Sequence, residues 1–164
     1  MTHHDPWLNV PLNEGGPNPM SPPDPGPTFR GIVITAPERV VFRAGEVVDD
    51  TGAFAAIPVC AYHCFDVPAV PIDDHFKMHA VEVKSGKSYE GFIVALDPGI
   101  MVPCPFEDAE PLKPEDVEGL ASGGWINPNL ANFVPIPREP ATYEVFMSLR
   151  GFQSNRVRIE LIQE

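Results

Sequence analysis

A chain of 164 residues with 43% apolar side chains can bury one sizeable core and carry an appendage, but two compact domains are not expected. Its 21 prolines and 13 glycines interrupt most windows a helix would need and leave many short ones for strands, which predicts an all-β fold. The formal charge of −12 repels phosphate backbones and anionic headgroups, and no run of about eighteen apolar residues occurs, so neither nucleic-acid binding nor membrane insertion is expected.

Residues 1–28 form a separate compositional zone, rich in proline, with Trp7, Leu8, Val10, Leu12 and Met20 as its larger apolar side chains. Such a segment cannot build a core and favours extended geometry, as a disordered leader or as an arm laid along a partner. In the arm reading Trp7 and Leu8 are the anchor, because a large aromatic on an adaptable segment is the residue type that dominates interface energy. The start lacks the basic-then-apolar order of a secretory signal, and three cysteines at irregular spacing do not make a disulfide scaffold. A cytoplasmic location with reduced thiols is the expectation. An imidazole third from a free amine, at His3 or His4, suits Cu(II) or Ni(II), although short termini produce this by chance.

The domain proper is expected over residues 29–164. Ile32 and Ile34 alternate with Val33 and Thr35 until Pro37, Arg39 to Val47 reads as a second strand, and Phe54 to Phe65 as a third, the most apolar. Pro58 forces a bulge or edge position in that third strand. Residues 78–97 read as a hairpin with Ser85 and Gly86 at its tip. Residues 98–140 are too long for one connection and read as an insertion containing one short helix from Pro114 to Gly123. Its acidic residues, Glu107 to Glu118, suit a solvated loop face or a basic partner. Trp125 and Phe133 follow, and either cover a sheet edge or offer a second partner surface. In the closing segment, Tyr143, Val145, Met147 and Leu149, then Val157, Ile159 and Leu161, alternate with polar residues as a half-buried hairpin. These strands number about seven.

The segment E-x-A-x-Y-x-V from Glu139 to Val145 resembles the D-x-A-x-Y-x-C signature of immunoglobulin-like domains and the tyrosine-bearing strand of fibronectin type III modules. The resemblance implies an antiparallel β-sandwich. It also implies that Tyr143 opens the penultimate strand and ties its hydroxyl to nearby backbone. Val145 stands where the immunoglobulin cysteine would be, which removes the inter-sheet disulfide.

Cys60, Cys64, His75 and His79 have metal-ligand spacing, and zinc or copper needs soft or borderline ligands of these types. The competing reading is two buried thiols and a core histidine. No nucleophile elbow, phosphate-cradling loop or H-E-x-x-H motif occurs. The functional expectation is a non-catalytic interaction or assembly protein without a cofactor, docking onto a larger protein or a sister subunit through Trp7, Leu8, Trp125 and Phe133. The alternative is a small zinc- or copper-binding protein.

Overall fold

The structure is a computed structural model that describes residues 5–66, 75–94 and 121–164. It is mostly β-strand, in two sheets that share one core. In chain order the strands are β1 (Glu14–Gly15), β2 (Gly31–Thr35), β3 (Arg39–Phe42), β4 (Cys60–Asp66), β5 (Lys77–Glu82), β6 (Ser88–Phe92), β7 (Ala121–Asn127), β8 (Ala141–Leu149), β9 (Phe152–Gln153) and β10 (Val157–Gln163). A single helical turn, α1 (Leu130–Phe133), follows β7. The first sheet has the order β1-β7-β4-β2, and the second β3-β10-β8-β5-β6 with β9 against β8.

Period-two patterning decides which side chains enter the core. Ile32 and Ile34 from β2, with Ala61 and Phe65 from β4, meet Met78, Ala80, Tyr143, Val145, Met147, Ile159 and Leu161 from the second sheet. Each large side chain so buried contributes about 1.5–3 kcal/mol. β4 lies between β7 and β2 and is buried on both faces, which is why its sequence is apolar almost throughout. The strand starts only at Cys60. Pro58 lacks the N–H a ladder needs, and Phe54 to Val59 runs into it as buried loop, with Phe54 edge-on to Phe42 at 5.2 Å.

The closing hairpin pairs Val157 with Val145 and Ile159 with Tyr143. Val145 is fully buried between the sheets. The Tyr143 ring is buried and meets Tyr89 edge-on at 6.2 Å. Burial pushes its hydroxyl pKa up to about 12. Among the described residues one pairing is parallel, that of β3 with β10. It places an early strand at the rim of the second sheet, in a ladder otherwise antiparallel.

Three strands lie where no strand was expected, the two-residue β9 in the turn of the closing hairpin, and β7 and β1. β7 falls inside the segment read as an insertion, and its Ala121 to Gly124 portion occupies the end of the expected helix; the rest of that helix, and the acidic run, lie outside the described residues. A Cβ on Gly123 would come within 2.6 Å of the His63 carbonyl, so glycine lets β7 close on β4. β1 is part of the N-terminal arm. The arm is tied to the body along its length: Val10 is buried, β1 adds to the edge of the first sheet against β7, and the Thr35 hydroxyl donates to the Met20 carbonyl at 2.6 Å.

Amide side chains hold the arm and loops together. The Asn127 amide donates at 3.0 Å to both the Glu14 and Gly16 carbonyls and accepts from Asn18 at 2.9 Å. Asn129 is fully buried; its carbonyl accepts from the Ile57 N–H at 2.9 Å and its amide donates to the Ala55 carbonyl at 3.1 Å. Asn13, in the left-handed region at φ 63°, accepts from the Asn129 N–H at 2.9 Å. Asn155 spans β2: its carbonyl accepts the Ile34 N–H at 2.8 Å and its amide donates to the Ile34 carbonyl at 3.0 Å.

Truncating Asn129 to alanine strands a buried N–H and a buried C=O. We expect Asn129→Ala to cost about 3 kcal/mol or more in urea denaturation, and Asn18→Ala, in a partly exposed site, about 1 kcal/mol or less.

Candidate docking face

Asp5 caps a 3-10 turn over Pro6–Asn9, its carboxylate accepting the Trp7 N–H at 3.0 Å, with Pro6 pre-set in the first position. The turn closes as the Val10 N–H donates to the Trp7 carbonyl at 3.3 Å. It therefore sends Val10 inward and leaves Leu8 75% exposed. Beside it runs a groove of about 340 Å³, walled by Trp7, Leu8 and Val10 on one side and Val40, Val41 and Val48 on the other.

Val41 projects from the outer face of β3, because Val40 and Phe42 take the core face. Val47 and Val48 are carried by the loop that leaves β3. That loop is organised by Asp49, whose carboxylate accepts from the Thr51 and Ala53 amides at 2.9 and 3.3 Å, while the Val48 N–H donates to the Ala53 carbonyl at 2.8 Å. Burial alone raises the Asp49 pKa, but these bonds, the Thr51 hydroxyl and the Asn132 amide outweigh it and hold the carboxyl below its ordinary value. Leu8, Val41, Val47 and Val48 are 75%, 56%, 55% and 48% exposed. Leu8, Val41 and Val48, three of the eight large apolar side chains exposed among the described residues, line this one groove, and Val47 precedes Val48 in the chain.

The other two residues expected at a partner surface lie elsewhere. Trp125, on the outer face of β7, packs on Tyr62 with ring centroids 4.9 Å apart, and its carbonyl accepts the Gly16 N–H of the arm at 2.9 Å. Phe133, in α1, packs against the core and lines a second groove of about 510 Å³ with Leu12, Ile93 and Val94. Leu12 lines both grooves. Trp7 and Leu8 share a face, whereas Trp125 joins the cover of its own sheet.

Cys60, Cys64, His75 and His79 are not brought together. Cys60 and Cys64 lie on the outer face of the first sheet beneath the arm, in contact with the Asn18 amide at 3.6 Å and the Arg30 guanidinium at 3.9 Å. His79 lies on the outer face of the second sheet, stacked on Phe146 at 4.4 Å, with Nε2 2.7 Å from the Ser148 hydroxyl and Nδ1 3.4 Å from Glu90. His75 precedes β5 as an exposed residue. Spacing along the chain is uninformative here, because β4 and β5 belong to different sheets. No group of three or more metal-ligating side chains converges among the described residues. Cys60 and His63 also point to opposite faces of β4: His63 turns inward against Phe76 at 4.8 Å. Burial pushes the Cys60 thiol pKa up, away from the thiolate a nucleophile needs. His3 and His4 lie outside the described residues.

Val41, Val47 and Val48 drew no notice in the sequence as site residues. The available signal was Val41 facing solvent between two arginines, and the apolar Val47-Val48 pair running straight into turn residues. No family model, curated protein or solved structure matches the chain.

Burial lowers the pKa of His63, and of His79 despite the opposing pull of Glu90. The unfolded chain then binds more protons than the native state, so stability is fully present above the unfolded value of about 6.5 and is lost as pH falls below it. We expect denaturation midpoints to drop between about pH 7.5 and 5.5, with a shallower slope in His63→Phe.

Proposed function

We propose that this chain is a non-catalytic interaction or assembly protein that docks onto a larger protein or a sister subunit through the face around Leu8 and Val41. The observation that carries this reading is that exposed Leu8, Val41 and Val48 line one groove. Isolated apolar side chains on a surface need no explanation, whereas a cluster bordering a concavity is how partner sites are built. The arm contributes as a wall of this face rather than as a free strap, since Val10 and the Asn127 contacts tie it down. An immunoglobulin-like sandwich is our reading of the scaffold, supported by the closing β8–β10 hairpin with Tyr143 and Val145 in its core.

A photo-crosslinking amino acid at position 8 tests the reading in the cells that make the protein. We expect a discrete adduct of defined mass, absent when the crosslinker replaces Lys84 and lost when Val41→Glu and Val48→Glu are combined. Adducts equal at both positions, or none at position 8, would overturn it.

A further inference from the structure

Each sheet ends in strands whose outer backbone groups need a partner or water, and an open edge is a template for another chain. Among the described residues, three of the four edges are restricted. Asn155 takes both backbone groups of Ile34 on β2, as a neighbouring strand would. β6 is approached by α1 so closely that a Cβ on Gly91 would lie 1.8 Å from the Phe133 carbonyl oxygen. β1 is two residues long. β3 is the fourth edge.

The Glu160 N–H donates to the Glu38 carbonyl and the Glu164 N–H to the Phe42 carbonyl, each at 2.9 Å. Successive residues of a strand turn their backbone groups to opposite sides, so Glu38, Val40 and Phe42 serve β10. Arg39 and Val41 turn theirs to the side away from β10, where no strand pairs with β3 among the described residues. Arg39, Val40 and Val41 also line the groove that Trp7 and Leu8 wall.

We propose that β3 takes up an extended, basic segment of another protein as an added strand, with an apolar side chain of that segment seated in the groove; this rests on the docking reading above and specifies its mode. Main-chain bonds to Arg39 and Val41 supply register, and the groove selects a side chain, the division of labour in strand addition. Charge selects the occupant. The chain carries −12 overall, Asp5 stands on the groove wall, and no Lys or Arg pairs with Asp5 or Asp50 among the described residues. Arg39 and Arg43 are engaged by Glu160 and Glu164 at 3.3 and 3.1 Å, so the cationic side chains at the edge are already matched. A second copy fits less well. Pairing with itself would join two chains that each carry −12.

The probes are synthetic peptides of about eight residues that alternate valine with lysine, serine or glutamate, each also made with alternate backbone nitrogens methylated. Amide chemical shifts and hydrogen exchange of the full chain are followed during titration. We expect the valine–lysine peptide to bind most tightly, to slow exchange at the Val41 amide about tenfold or more, and to lose about tenfold or more in affinity on methylation. Val41→Pro, an exposed edge position where proline removes the outward donor, is expected to lower the affinity similarly. Binding that methylation leaves intact, shifts that avoid Arg39 to Phe42, or no binding by any peptide would overturn strand addition. The position-8 crosslink separates the two readings: an adduct that persists in Val41→Pro, with the Val41 amide of the unsubstituted chain left unprotected by every peptide, keeps docking and overturns strand addition, whereas absence of the adduct in the unsubstituted chain removes docking itself.

Discussion

The arrangement depends on two buried side-chain amides, Asn127 and Asn129, at the end of β7. Neither sits among apolar neighbours for want of a better residue. Each faces backbone groups that the irregular arm and the loop before β4 cannot pair within themselves, and an amide offers donors and an acceptor in one plane. A buried group left unmatched costs far more than a matched one contributes, so this junction acts as a unit. Through it a proline-rich segment with no core of its own is tied to the first sheet.

Fixing the arm has a consequence for the surface. With Val10 inside and Asn18 on Asn127, the turn at Pro6–Asn9 is held beside β3. The groove between them therefore exists before any partner arrives, and association need not order the arm first. The long-range ion pairs at this rim, Arg39 with Glu160 and Arg43 with Glu164, are well exposed and add little to stability. Their effect is to neutralise charge beside an apolar concavity.

The closing hairpin was legible in the sequence because its two strands alternate, and β8 and β10 place every second residue in the core as that alternation requires. Gly86, at φ 74°, sits at the β5–β6 tip where a turn was expected. β1 and β7 were not legible. A strand made of Glu14 and Gly15 has no pattern to show, and Gly123 and Gly124 look like a stop signal when their smallness in fact serves contact with β4. The described residues hold ten strands, against an expectation of about seven, partly for this reason. Of the expected partner residues, Trp7 and Leu8 were recognisable as large apolar groups on a polar segment. Trp125 looked the same in sequence, yet its place on Tyr62 depends on which strand lies next to β7, and no local pattern encodes that.

The parallel β3–β10 ladder and the β1–β7 pairing have a kinetic meaning. Glu14 meets Asn127 across 113 positions and Arg43 meets Glu164 across 121. Both early segments must wait, unpaired, for strands made much later. Loop closure over such distances is slow, and topologies dominated by non-local pairing fold in milliseconds to seconds. During that interval Val40 and Phe42, later interior, stand exposed on a lone strand. The flanking Arg39 and Arg43 give that nascent segment a repulsive charge against its own kind before their glutamates arrive, a protection against self-association that the finished fold no longer displays.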